Sequence, residues 1–339
     1  MKLPTDAITH NIAELISHPE TGQRVISRIP QELREHLNEH AQQRALHSSG
    51  CELRFRLTGP TATLRLQASE VIASHHGGGL AQILFGDFSH TYFPVLENKL
   101  IEYEITAPNY NDLEQASAGQ QLFNPHLVRI LLPTHAAINH LEIVGAIAPP
   151  APGDIPTKRV LNYGSSITQG TGALSSRETW AGRCAHLLGA DLINLGFGGG
   201  CHCEPEMTEY LCQRNDFDVA ILETGINMLA LDPKVTDQRI EHLIREFSAA
   251  HSDKPVFCLG VFPCNEDSET NFQGRAQQIR KLVQGVVQEI QSPTLTFIDG
   301  REALTHSLNM SVDLTHPSQA GMIEIGAYVA ARIQASGQI

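Results

Sequence analysis

Apolar and polar residues alternate in short runs along the first part of the chain. The runs at 52–57, 61–66, 99–105, 126–132 and 139–145 each repeat with period two, with turn-forming residues between them. That period puts one face of a strand on a core and the other in solvent, so the runs predict a half-buried antiparallel sheet. Several such strands predict a β-sandwich, jelly-roll-like in outline. Residues 6–46 carry a mixed pattern, which predicts a partly helical start to this unit.

Ala148-Pro149-Pro150-Ala151-Pro152-Gly153 interrupts the pattern, because its prolines suit neither a central strand nor a helix interior. Beyond it, apolar runs at 159–163, 191–195, 218–223, 255–262 and 294–298 alternate with helical-period segments. The helical segments fall at 178–188, 204–212, 234–250, 274–290 and 319–334. In the first of them, Trp180, Cys184, Leu187 and Leu188 fall at helical spacing. Five strands alternating with helices predict an α/β unit whose five-stranded parallel sheet is covered on both faces. The expected division is therefore an N-terminal β-sandwich domain over residues 1–150 and an α/β domain over 151–339. Sites in such sheets lie in the loops at the carboxyl ends of the strands.

A length of 339 residues agrees with two domains, and a hydrophobic share of 41% supplies their cores. Lys and Arg number 24 against 37 Asp and Glu, a formal net charge of -13. Such a surface repels phosphate backbones and anionic lipid, so neither nucleic acid nor membrane is an expected partner. No apolar run at the start reads as a signal peptide, and none approaches the roughly 18 residues of a membrane span. The seven cysteines, an odd number in a long chain, read as reduced and mostly buried thiols. Cytoplasmic residence is the expectation from these features, while a homo-oligomer is neither required nor excluded.

Four separated segments carry candidate chemistry. Gly164-Ser165-Ser166-Ile167-Thr168 follows the first predicted strand of the α/β unit, and a serine there is a nucleophile only if a base removes its proton. Taken alone, the segment reads more readily as a helix cap than as a catalytic site. It is not the Gly-x-Ser-x-Gly elbow, since Thr168 stands at the second glycine position. Asp313-Leu314-Thr315-His316 precedes the last helix. On a helical turn, residues three apart touch, so Asp313 could orient His316 as a base toward Ser166. Gly196-Phe197-Gly198-Gly199-Gly200 follows the second strand, and its glycines let backbone N–H groups turn toward a ligand; Gly199 is the candidate oxyanion donor. Asn227, in Gly225-Ile226-Asn227 after the third strand, offers a side-chain N–H to the same oxyanion.

Cys201-His202-Cys203, beside Glu204 and Glu206, gathers three potential zinc ligands. Adjacent residues rarely all face one ion, and no Cys-x-x-Cys pair accompanies them. No metal or cofactor is expected. His75-His76, before Gly77-Gly78-Gly79, reads as a solvated loop.

Taken together, the four segments resemble the SGNH (GDSL-type) hydrolase superfamily, whose marker residues Ser, Gly, Asn and His fall in order on Ser166, Gly199, Asn227 and His316. The resemblance spans residues 158–337. It implies a flavodoxin-like three-layer α/β/α sandwich and a metal-free serine esterase with the triad Ser166, His316 and Asp313. It also implies an oxyanion hole of the Ser166 and Gly199 backbone N–H groups and the Asn227 side chain. The family's common Gly-Asp-Ser is Gly164-Ser165-Ser166 here. Tyr-Gly-Ser-Ser-Ile-Thr-Gln-Gly and Asn-Leu-Gly-Phe-Gly-Gly-Gly look like the multidomain subgroup with an N-terminal β-sandwich, similar to carbohydrate acetylesterases. The expected function is hydrolysis of short-chain, acetyl-like esters on a carbohydrate, with a small-molecule or oligosaccharide ester as the expected partner. The alternatives are a lipid, thioester or small-molecule acyl hydrolase, and a catalytically inactive carbohydrate-binding protein.

Overall fold

The computed structural model describes residues 4–72, 79–267 and 274–339. His75 and His76 fall outside them.

The chain starts with strand β1 (Ile8–His10) and the two-stranded hairpin of β2 (Glu14–Ser17) and β3 (Arg24–Ser27). Two short helices follow, α1 (Gln31–Arg34) and α2 (Glu39–Arg44). The expected helical start is thus preceded by strands.

Next come β4 (Glu52–Val71), β5 (Leu80–Phe85), β6 (Phe88–Pro94), β7 (Ile101–Thr106), α3 (Tyr110–Ser117), β8 (Leu127–Leu131) and β9 (Ala136–Ala148). Together with β1 these strands form one antiparallel seven-stranded sheet. The runs at 52–57 and 61–66, expected as separate strands, are one 20-residue strand. Its first half pairs with β1 and β8 and its second with β7, while β9 pairs along it from Arg56 to Val71 with a register shift between Leu57 and Ala62. Apolar residues from both halves, such as Phe55 and Leu66, enter a single buried core. The sheet therefore folds over on itself as a sandwich.

The α/β unit runs β10 (Arg159–Gly164), α4 (Ser166–Gln169), α5 (Trp180–Leu187), β11 (Asp191–Gly196), α6 (Pro205–Gln213), β12 (Val219–Glu223), α7 (Pro233–Ala250), β13 (Val256–Leu259), α8 (Arg275–Ile290), β14 (Leu295–Ile298), α9 (Gly300–Ala303) and α10 (Gln319–Ala335). Its five strands are parallel, in the order β11-β10-β12-β13-β14. This is the 2-1-3-4-5 order of the flavodoxin-like fold, with the switch point at β10. Alternate residues face opposite cores. Val160 and Ile221 pack with α5 and α10, while Leu161 and Leu222 pack with α6, α7 and α8. The near-continuous apolar strands are what a sheet buried on both faces needs.

The two units are closely joined. Ile29, Leu37, Ala41 and Ala45, from the N-terminal stretch, are buried in the α/β core beside Leu195 and Phe197. Arg54 of β4 holds Asp191 of β11 in a buried bidentate pair, at 2.6 and 2.7 Å. Asp154, just past the proline-rich segment, pairs with Arg56. All seven cysteines are free, and six are buried. Among the described residues no helix is long and apolar enough to cross a membrane.

Candidate active site

The carboxyl ends of β10, β11 and β12 converge at the switch point. Immediately after β10, Ser165 adopts an extended conformation and caps the one-turn helix α4, its hydroxyl accepting from the Ile167 N–H. This puts Ser166 at the first helical position. Its Oγ lies 2.8 Å from His316 Nε2. On the far side of the ring, His316 Nδ1 lies 2.6 Å from Asp313 Oδ2. The order Ser, His, Asp is thus a continuous hydrogen-bonded line.

Asp313 and His316 do touch, but not across a helical turn as expected. Helix α10 begins only at Gln319, behind the Ser318 cap. Residues 313–316 form a turn in which Leu314 has φ +52°. Asp313 Oδ1 accepts from the Thr315 and His316 N–H groups and from Ser311 Oγ. An aspartate that bonds the backbone two and three residues on favours a turn over a helix. Burial raises the Asp313 carboxyl, but the bonds from His316, Ser311 and Thr315 outweigh it and hold the group well below the usual carboxylate range. Asp313 is therefore charged and fixes His316 with its proton on Nδ1 and Nε2 turned to Ser166.

The loop after β11 sorts three consecutive glycines. The Gly198 N–H donates to Gln169 Oε1 at 2.7 Å, and the Gly200 N–H to Phe197 O at 2.9 Å. Gly199 is left as the loop's donor, in a left-handed conformation with φ +72° that favours glycine. A Cβ on Gly200 would lie 2.4 Å from the Ala41 backbone nitrogen, so the loop is pressed against α2. Asn227 accepts the Cys201 N–H on its Oδ1 at 3.2 Å, which directs its Nδ2 group elsewhere. Both Gly199 and Asn227 line the cleft that contains Ser166 and His316.

Two supports escaped sequence reasoning. Glu223, the last residue of β12, is fully buried beneath the turn that carries Ser166. Its Oε2 accepts from the Ser165 N–H and Oγ, both at 2.7 Å, and from Thr168 Oγ1 at 3.0 Å. Burial pushes its carboxyl up to about 7 against the pull of those bonds. An acidic residue closing the apolar run Val219–Glu223 was the available signal. Arg28 is the second support. Its buried guanidinium donates to the carbonyls of Arg44, His47, Asn194 and Gly196, holding α2 and the end of β11 together. Nothing local in the sequence marks it.

The cleft has a volume of about 460 Å³. One wall comes from the N-terminal unit: His40 and Arg44 of α2, Ile72 and His135. The other is apolar, with Ile226, Leu229 and Ala230. Asn38 fixes α2 by capping it and by donating to Gly200 O and Glu204 Oε1. His135 lies between Thr134 and Thr171, and burial, with the nearby His47, Arg44 and Arg28, lowers its pKa well below the ordinary value. It is a neutral wall residue.

Cys201-His202-Cys203 does not assemble a ligand set. Both cysteines are buried, and burial raises the Cys201 thiol well above its ordinary value. Among the described residues no group of three or more His, Cys, Asp or Glu is placed to hold a metal.

Residues 163–322 match the GDSL-like lipase/acylhydrolase family. No protein of curated function matches the chain in sequence. Among solved structures, the chain is similar to a salicylyl-acyltransferase from a tetracycline biosynthetic pathway. The identity is 18% and the TM-score 0.78, covering 98% of this chain and 95% of that one. A putative GDSL-like lipase from Bacteroides ovatus is 17% identical with a TM-score of 0.75, covering 98% of both chains. A family two carbohydrate esterase from Cellvibrio japonicus is 15% identical with a TM-score of 0.62, covering 97% of this chain and 98% of that one. Identities this low describe a shared two-domain fold.

Proposed function

Residues 163–322 belong to the GDSL-like lipase/acylhydrolase family, and on that premise we propose that this carboxylic ester hydrolase is a serine esterase for short acyl groups, acetyl foremost, carried on a carbohydrate. The observation that carries the reading is the 2.8 Å contact between Ser166 Oγ and His316 Nε2, in line with Asp313.

Ser166 Oγ attacks the ester carbonyl as His316 Nε2 takes its proton. The negative charge that develops on the carbonyl oxygen is met by the Ser166 and Gly199 N–H groups and Asn227 Nδ2. The tetrahedral adduct collapses, and the C–O bond to the alcohol breaks. His316 returns its proton to the leaving oxygen, and the acyl group stays on Ser166. Water then attacks with His316 again as base, which releases the acid and the free serine. Asp313 keeps its charge throughout and stabilises the imidazolium.

The preference for a short acyl group is supported by the small apolar wall of Ile226, Leu229 and Ala230. The carbohydrate assignment draws on the two-domain likeness to the Cellvibrio japonicus carbohydrate esterase. The test is a series of p-nitrophenyl esters from acetyl to octanoyl, followed by acetylated sugars. The proposal expects kcat/KM to fall with chain length and acetylated sugars to turn over. A preference for octanoyl would favour a lipid acyl hydrolase instead.

A further inference from the structure

The cleft reverses the charge of the chain that forms it. Acidic residues outnumber basic ones 37 to 24 in the sequence. Yet among the described residues that line the cleft none is Asp or Glu, while one is Arg44. Asp313 lies behind His316, bonded to it and to the turn, and does not line the opening.

Arg44 is also underused. Its side chain makes one hydrogen bond among the described residues, from Nη1 to Gln43 Oε1 at 3.0 Å, and no ion pair. Burial lowers its pKa, and Glu70, held by Gln43, offsets part of that from beyond pairing distance. The neighbouring Arg28, by contrast, donates its guanidinium to four carbonyls, that of Arg44 among them. A half-buried guanidinium with spare donors has paid desolvation that a bound anion would recover. Its place is defined as well. Arg44 Nε lies 3.6 Å from where a Cβ on Gly198 would stand, and Ser166 Cβ lies 3.3 Å from the same point. Arg44 is thus beside the nucleophile, on the wall that the N-terminal unit contributes.

We infer that Arg44 is a specificity residue that selects esters whose alcohol part carries a carboxylate, such as an acetylated acidic sugar. The planar fork of a guanidinium matches a carboxylate in two parallel hydrogen bonds. Arg44 takes no part in bond breaking. The inference rests on the serine esterase reading above and narrows it to one substrate class.

The test compares acetylated glucuronate with acetylated glucose, matched in ring and ester position, on the full chain. Wild-type kcat/KM should favour the anionic ester by roughly tenfold to a hundredfold, as a charge-assisted hydrogen bond supplies. In Arg44→Gln this ratio should collapse toward one, and Arg44→Lys should restore part of it. A wild-type ratio at or below one overturns the inference without reference to any variant. So does a ratio that Arg44→Gln leaves unchanged, or a preference confined to an anionic acyl group, read from mono-p-nitrophenyl succinate against p-nitrophenyl butyrate. Absence of turnover on every ester would instead reject the esterase reading beneath it.

Discussion

Glu223 Oε2 sits 2.7 Å from both the backbone nitrogen and the hydroxyl of Ser165, the residue preceding Ser166. Where the resembling family commonly has Asp before its serine, this chain has Ser165 and brings a carboxyl from the neighbouring strand β12. The oxygen that receives these bonds also receives Thr168, so one side chain ties both ends of α4 to the sheet.

That burial makes the pH dependence of stability specific. The folded-state value of Glu223 is raised from 4.5 to about 7, so over that interval the folded chain holds a proton that the unfolded chain has lost. Its contribution to stability is complete below the unfolded value and is lost as pH rises through the folded one. The loss is on the order of 3 kcal/mol. Glu223→Gln keeps an acceptor but does not titrate. Urea unfolding at pH 4.5 and pH 8 should show the advantage of the wild type over Glu223→Gln shrinking by that order. A difference independent of pH would show that Glu223 does not change its protonation in this range.

Asp313 is predicted to act through His316. Asp313→Asn should lower kcat by roughly a thousandfold to ten-thousandfold while KM stays close to wild type, because the amide favours the wrong imidazole tautomer. Steady-state kinetics on p-nitrophenyl acetate checks this. A loss under tenfold would contradict the proposed role of Asp313 in orienting His316.

Much of this was legible from the residues. Period-two runs and then strand–helix alternation gave the sandwich and the parallel sheet, because burial on one face or on two leaves different patterns. Ser166 and the Asp313–His316 pair follow from residue type and order. The turn that brings Asp313 to His316 was misread, since a spacing of three fits a helix and an aspartate-stabilised turn alike. The cleft wall of His40, Arg44 and His135, and the anchoring by Arg28, were illegible. The roles of Arg28, His40 and Arg44 arise only when residues 28–47 pack on the α/β core, more than a hundred positions along the chain, and His135 reaches the cleft through its contact with Thr171.

Arg28 is predicted to couple that packing to the site. Arg28→Met takes the guanidinium from four carbonyls: those of Arg44 and Asn194 keep the His47 N–H and the Asn11 side chain, while those of His47 and Gly196 lose a buried charged donor. It should cost about 3 kcal/mol or more in urea unfolding, since an unsatisfied buried group costs roughly 1–3 kcal/mol. Because two of those carbonyls belong to Asn194 and Gly196, at the root of the Gly199 loop, kcat should fall as well. A variant with wild-type stability would contradict the anchoring role.

Hydrolysis is expected to be indifferent to chelators, because the proposed mechanism draws nucleophile, base and oxyanion donors from the chain alone. Assay with and without EDTA checks this, and a chelator-sensitive rate restored by zinc would redirect attention to Cys201, His202 and Cys203.

The most direct measurement is labelling by a serine-reactive fluorophosphonate, with the modified residue located by mass spectrometry and p-nitrophenyl acetate hydrolysis followed in parallel. The account predicts one label per chain, on Ser166, with loss of turnover. Ser166→Ala, still folded by circular dichroism, should neither label nor hydrolyse. Hydrolysis by Ser166→Ala at the wild-type rate, or a label on another residue accompanied by loss of activity, would contradict it.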